Sequence, residues 1–360
     1  MQQKQGLVMQ VKHWLGLILL LVTVSARADL EVTVSGGETG ALPIALVPFA
    51  DPSGVNFDIA KIVEADLART GQFRTLPRTD MLETPSQPSQ INYANWRTVN
   101  MDNLLIGQIA RDPGGKIKVR FFLMDTVRGQ QLIAYDMPLA SAEQLRYVAH
   151  QIADLVYQKL TGIKGDFNTK IAYITATGLG ATRAFALVVS DADGFAPHVV
   201  ATSREPLMSP TWSPDRTQLA YVGFEHGRSA IYIHTLATGH VKKLVSEKGI
   251  NGSPAWSPDG HKMAVTLSFE TNPDIYIIDL DTGARTRLTT LYSIDTEPAW
   301  SPDGQTLVFT SDRGGQPQID QIPVTGGDPK CLTFQGKQNL RASYSPDGKS
   351  RGLVNCDNSV

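Results

Sequence analysis

Four short turns, evenly spaced along the second half of a 360-residue chain, restrict what that half can fold into. Trp212-Ser-Pro-Asp215 is followed by Trp256-Ser-Pro-Asp-Gly260, Trp300-Ser-Pro-Asp-Gly304 and Tyr344-Ser-Pro-Asp-Gly348. The serines at 213, 257, 301 and 345 stand 44 residues apart, with no insertion or deletion. A fixed period of this size marks a repeat array in which each unit buries its apolar face against the next. Proline presets φ at the first central position of a type I turn, aspartate follows, and glycine closes it (Arg216 in the first copy). Each turn is preceded by a short run such as Pro254-Ala-Trp256. Behind it come Met263-Ala-Val-Thr-Leu267, Ile275-Tyr-Ile-Ile-Asp279 and Thr286-Arg-Leu-Thr289, divided by Gly, Asn, Asp or Pro. Four short strands in about 44 residues make one blade of a β-propeller. The tryptophans are expected to pack between neighbouring blades.

The chain ahead of the repeats reads differently. Lys4 and Lys12, the apolar run Trp14 to Val24 and the small-x-small triplet Ala26-Arg-Ala28 form a secretory signal, with cleavage expected between Ala28 and Asp29. The apolar run is too short for a membrane anchor, which needs about 20 residues. Cleavage takes the formal charge from −2 to −5. Leu30-Glu-Val-Thr-Val34 alternates like a half-buried strand. Pro43 to Phe49 reads as a buried strand, followed by a helix with Asp58 as N-cap, Ile59, Ile62, Val63 and Leu67 on one face, and Gly71 as its stop. Strands follow at Leu104 to Ile106, Lys116 to Met124 and Gln131 to Met137, the last two as a hairpin. A second helix has Ser141 and Gln144 as a capping box, an apolar stripe from Leu145 to Leu160, and Gly162 after its end. Helical periodicity stops there. The expected division is a signal at 1–28, an α/β domain at 29–165 and an all-β propeller at 166–360.

In the propeller, Ile171 to Thr175, Ala184 to Ser190 and Pro197 to Ala201 have no repeat turn ahead of them, so the first blade is one strand short. Propellers commonly complete such a blade with a strand from the other end of the chain. Here the fourth repeat breaks off after Gly348.

No catalytic constellation emerges. Gly227-Arg-Ser229 is followed by Ala230 and Ile231, which is not a nucleophile elbow. The seven histidines never fall into a metal-binding spacing, and Cys331 and Cys356 have none between them. Asp191-Ala-Asp-Gly194 opens like a calcium loop but lacks the later ligands, so a plain turn is expected. The repeated turn aspartates have the chemistry to hold a cation in a propeller channel, but turn-capping already accounts for them. Basic residues neither cluster nor interleave with aromatics, which excludes a nucleic-acid footprint. No enzyme activity, metal or cofactor is expected.

Taken together, Glu31 to Val34, Pro43 to Phe49, Lys159-Leu-Thr-Gly-Ile-Lys-Gly165, Pro206 to Asp215 and Thr296-Glu-Pro-Ala-Trp300 resemble the TolB family, the periplasmic component of the Tol-Pal cell-envelope system of Gram-negative bacteria. The resemblance implies an N-terminal α/β domain joined to a six-bladed propeller, incomplete here. It implies a monomeric, non-enzymatic adaptor that is neither inserted in the membrane nor bound to nucleic acid. Its partners would be TolA and the peptidoglycan-associated lipoprotein Pal, with other outer-membrane proteins as further candidates. Carried over by position, the TolA-binding segment is Leu30, Glu31, Val32, Thr33 and Val34. The Pal-facing residues are Met208 and Ser209, then Asn251, Gly252 and Ser253, then Thr296 and Glu297, on loops ahead of the inner strands. Ile250 stands where familiar members have a histidine. Against a six-bladed ring roughly 75 residues are missing, which points to a truncated or frameshifted reading, and the open ring is expected to be unstable and to bind Pal weakly. The alternatives are the propeller of a prolyl-oligopeptidase-like serine peptidase without its hydrolase, and a glycan- or metal-binding propeller.

Overall fold

The computed structural model describes residues 40–111, 114–139 and 141–356. The signal segment, the cleavage site at Ala28 and Asp29, and the strand expected at Leu30 to Val34 lie outside the described residues. The chain divides into two compact units, Met1–Ala142 and Glu143–Val360. No helix among the described residues is long and apolar enough to cross a membrane.

The first unit is built on a five-stranded sheet of order β2-β1-β3-β4-β5. Its strands are β1 (Leu42–Leu46), β2 (Phe73–Thr75), β3 (Asn103–Arg111), β4 (Ile117–Asp125) and β5 (Gln130–Leu139). β1 lies parallel to both β2 and β3, whereas β3, β4 and β5 run antiparallel, so the expected hairpin is present. A parallel pair needs a crossover, and helix α1 (Ile59–Arg69) supplies it between β1 and β2. Asp58 caps α1 by accepting from the Lys61 N–H at 3.0 Å, and is itself held by Arg78 at 2.6 Å. Ile59, Val63 and Leu67 are buried. Gly71, at φ 66°, lets the chain leave the helix in the left-handed region.

A short helix, α2 (Tyr93–Thr98), has no counterpart in the apolar pattern. It is organised by Glu83, whose carboxylate accepts from the Asn92 N–H, Asn95 Nδ2 and Trp96 Nε1 at 3.0, 3.2 and 2.6 Å. This lets the Trp96 ring enter the core beside Ala45, Leu104 and Ile106 with its N–H satisfied.

The second unit begins with helix α3 (Leu145–Thr161). A 3₁₀ turn at Ala142–Gln144 leads into the helix. Leu145, Val148, Ile152 and Val156 are buried, and Gly162, at φ 77°, follows the C-terminus as expected.

Beyond α3 every element is a strand or a turn. The first blade is the three-stranded sheet β6 (Lys170–Thr177), β7 (Ala184–Asp191) and β8 (His198–Ser203). The second comprises β9 (Leu207–Trp212), β10 (Gln218–Glu225), β11 (Arg228–Thr235) and β12 (His240–Val245). The third comprises β13 (Asn251–Trp256), β14 (Lys262–Leu267), β15 (Asp274–Asp279) and β16 (Arg285–Arg287). The fourth comprises β17 (Asp295–Trp300), β18 (Thr306–Ser311), β19 (Gln318–Pro323) and β20 (Lys330–Cys331). The fifth, among the described residues, is the pair β21 (Asn339–Tyr344) and β22 (Arg351–Asn355).

Apolar clusters join each blade to the next, as the repeat pattern requires. Trp212 packs with Leu187 of the first blade and Leu219 of the second. Trp256 packs with Val222 and Ile231 of the second and Met263 of the third. Trp300 packs with Ala264 and Ile277 of the third and Phe309 of the fourth, and its Nε1 donates to the Ala255 carbonyl at 3.0 Å. The tryptophans are therefore inter-blade packing residues. The turns also lie against one another: a Cβ built on Gly304 would meet Cδ of Pro258, one repeat earlier, at 3.7 Å.

Each repeat turn is closed by its own serine and aspartate. Ser257 Oγ donates to Asp259 Oδ1 at 2.5 Å, and the same oxygen accepts from the His261 N–H at 3.0 Å. Ser213–Asp215, Ser301–Asp303 and Ser345–Asp347 repeat the arrangement. In all four the serine hydrogen bond is foremost in holding the carboxyl below its ordinary value of 3.8. Such groups contribute stability in full above the unfolded value, and the contribution disappears as pH falls through the lower folded values. Melting temperature is accordingly expected to drop as pH is taken below about 4, and to drop less steeply in Asp259→Asn/Asp303→Asn. Parallel pH profiles for the two proteins would refute this role for the turns.

Candidate protein-binding face of the propeller

The innermost strands do not run straight. In each of β9, β13, β17 and β21 the register with the next strand shifts, with two residues facing one across the break. Pro210, Pro254 and Pro298 lie at the first three breaks, where the missing N–H suits a bulge and not a regular ladder. The bulge turns the backbone of one residue per strand into the left-handed region: Ser209 at φ 49°, Ser253 at 48°, Glu297 at 55° and Arg341 at 54°. These four stand 44 residues apart, like the turns. A side chain in this conformation costs about 1–2 kcal/mol relative to the right-handed one. Glycine would avoid that cost, yet it occupies none of the four positions.

The bulges sit at the end of the blades opposite the repeat turns. That end is cross-tied between blades: Asp295 N donates to the Pro273 carbonyl and Asn339 N to the Pro317 carbonyl, both at 2.9 Å. Beneath it lies a buried ion-pair system. Arg287 Nη2 meets Asp274 Oδ2 at 2.6 Å. Arg313 Nη2 donates to Asp295 Oδ2 at 2.9 Å, and its Nε stands 2.6 Å from Asp320 Oδ2. Burial pushes the carboxyls of Asp274 and Asp320 up from the usual value.

The residues expected to face Pal all fall on this end, but not on loops. Thr296 and Glu297 are the second and third residues of β17, and Asn251, Gly252 and Ser253 open β13. The pattern misled because a bulge interrupts the alternation while the ladder continues on both sides, as Thr296–Thr310 and Ala299–Val308 pairs show. Met208 is exposed, and Ser209, Gly252, Ser253, Thr296 and Glu297 are half-buried. Asn251 is buried. Its side chain donates to the carbonyls of Ser229 and Glu247 and accepts from the Glu247 N–H, so it serves the blade junction. Glu297 reaches across blades: Oε2 accepts from Thr310 Oγ1 and from the Arg341 N–H, each at 3.1 Å.

Other residues at this end were not singled out from the sequence. Arg341 follows Glu297 by one repeat and could have been found from the spacing alone. Tyr292, 95% exposed, and Phe334, 84% exposed, lie on the loops entering the fourth and fifth blades. Leu291 and Ile294 are exposed on the loop entering the fourth blade, and Ile250 on the loop entering the third. Apolar side chains in solvent beside strained polar ones are what a protein-binding surface presents.

Among the described residues, His150, Asp191 and Asp193 bring metal-ligand types together, and cationic side chains lie among them. Arg146 pairs with both aspartates and stacks 3.8 Å from the centre of the Phe195 ring, and Lys170 holds Asp191 at 2.9 Å. Gly194, at φ 82°, closes a turn back to the Asp191 carbonyl.

A family model described as the TolB beta propeller domain matches residues 157–359. The chain belongs to the TolB family. The TolB amino-terminal domain model matches residues 30–132. The Tol-Pal system protein TolB of Methylococcus capsulatus is 45% identical over 243 residues, covering 68% of the chain and 57% of that protein. The TolB of Xanthomonas oryzae is 43% identical over 248 residues, covering 67% and 56%. The chain thus spans little more than half the length of these TolB relatives. A crystal structure of TolB from Acinetobacter baumannii superposes with a TM-score of 0.82 at 38% identity, covering 91% of the chain and 80% of that structure.

Proposed function

We propose that the chain acts as a non-enzymatic periplasmic adaptor of the Tol-Pal system, linking TolA to the lipoprotein Pal in support of outer-membrane integrity and constriction at division. The observation that carries this reading is the row of side-chain-bearing left-handed bulges at one end of the blades. Backbone strain kept at four equivalent positions, beside exposed aromatics, supports a binding role for this face. The match to the TolB amino-terminal domain favours the adaptor over the propeller of a peptidase that has lost its hydrolase. In this reading Met208, Ser209, Gly252, Ser253, Thr296 and Glu297 meet Pal, and Asn251 supports them from below.

The test is direct binding of purified lipid-free Pal and TolA to the chain, alongside the Methylococcus capsulatus relative. Capture of TolA is expected, with Pal bound more weakly than by the relative. Recovery of a peptidase activity with no binding of either would overturn the proposal.

TolA is assigned to Leu30–Val34, a segment whose apolar and polar residues alternate ahead of Gly36-Gly37, a pattern suited to strand addition at the edge of a partner's sheet. Deleting these five residues is expected to abolish TolA binding and to leave the melting curve nearly unchanged. Persisting TolA binding would place the site elsewhere.

A further inference from the structure

Among the four bulge residues, Arg341 is the most exposed and carries the longest side chain. Its backbone is fixed from the neighbouring blade, the N–H donating to both Glu297 Oε2 and Thr310 Oγ1 at 3.1 Å. Its guanidinium is not fixed in the same way. The side chain is 67% exposed, and Nε stands 3.7 Å from Glu297 Oε1, beyond hydrogen-bond range. Glu297 therefore uses one oxygen to hold the Arg341 backbone and lies beside the guanidinium without saturating it. Arg313, one blade earlier, shows the contrasting state, a guanidinium committed to two buried carboxylates.

We infer that Arg341 is a specificity-determining residue of this face, its guanidinium receiving a carboxylate of the bound protein. The inference rests on the reading of the face as the Pal-binding surface and extends it to a residue on the fifth blade. A guanidinium binds a carboxylate through two parallel N–H donors, and the left-handed, blade-tied backbone fixes the point from which this side chain reaches toward the partner. A polyanion such as nucleic acid would need many basic groups, and one arginine on a chain of net charge −2 does not supply them. Charge at the rim of an interface acts chiefly through the association rate and its dependence on salt.

The experiment measures association kinetics of lipid-free Pal with the chain at low and physiological salt, for the unaltered protein, Arg341→Asn, Arg341→Lys and Glu297→Ala. Asparagine tolerates the left-handed backbone, so Arg341→Asn removes the charge and keeps the bulge. The expected result is an association rate lowered roughly tenfold at low salt in Arg341→Asn, with a flatter salt dependence, and an intermediate value for Arg341→Lys. If Glu297→Ala weakens binding while Arg341→Asn leaves rate and salt dependence unchanged, the inference is overturned and the Pal-binding face stands. A loss in Arg341→Asn with an unaltered salt slope also overturns it, because the residue would then act only on the fold. An unaltered chain that fails to bind Pal overturns the face and this inference together.

Discussion

Replacing Arg313 by alanine is expected to destabilise the propeller by about 3–5 kcal/mol, the effect of leaving a buried ion pair with one partner removed. The carboxylates of Asp295 and Asp320 are 0% and 1% exposed, and Arg313 bridges them. Asp295 keeps the hydroxyls of Ser293 and Ser311 at 3.0 and 2.6 Å, but hydroxyls do not neutralise charge. With the guanidinium gone, two like charges share an enclosed site, and one must take up a proton. The deficit should therefore shrink as pH falls: Asp320 already titrates above its ordinary value, and a raised carboxyl favours the folded state most at low pH. Against a total stability of about 5–15 kcal/mol for a domain, such a loss is close to unfolding. Urea denaturation at pH 7 and pH 5 measures it, with Arg313→Ala/Asp320→Asn as the partial rescue. A loss below about 1 kcal/mol would show that the pair is solvated and outside the propeller's core.

Exchanging Thr296 and Glu297 together for alanine is expected to weaken Pal binding by at least about 1–2 kcal/mol, or about 5- to 30-fold in Kd. Glu297 is strained, half-buried and bonded to the next blade, so its carboxylate is already ordered and pays little entropy on binding. Its removal also leaves the Arg341 N–H with Thr310 alone, loosening the adjacent bulge. Ser209→Ala, on the second blade, is the control for a small polar change at an equivalent position. An unchanged Kd in the double variant would remove both residues from the interface.

Much of this was legible in the repeat. A spacing of 44 residues with Trp-Ser-Pro-Asp-Gly at each turn defined the blades, their strand number and the inter-blade place of Trp256 and Trp300, because turn chemistry and period-2 alternation are local. Asp58, Gly71 and Gly162 likewise marked helix ends through their own backbone preferences. The bulges were hidden, since a left-handed Glu297 depends on the ladder that continues around it. Helix α2 was hidden for a similar reason: six residues cannot sustain a helix alone, and Tyr93–Thr98 is held by Glu83 and by the burial of Trp96. The ion pairs of Arg287 and Arg313 join residues 7 to 18 positions apart, pairings that no local pattern announces.

Backbone hydrogen exchange of the chain, with and without saturating lipid-free Pal, tests the central claim most directly. Protection is expected at the opening residues of β9, β13, β17 and β21, around Ser209, Ser253, Glu297 and Arg341, and on the loops bearing Tyr292 and Phe334. The Ser-Pro-Asp-Gly turns at the other end should exchange as before. Protection centred on those turns, or no change anywhere in the propeller at saturating Pal, would contradict the account.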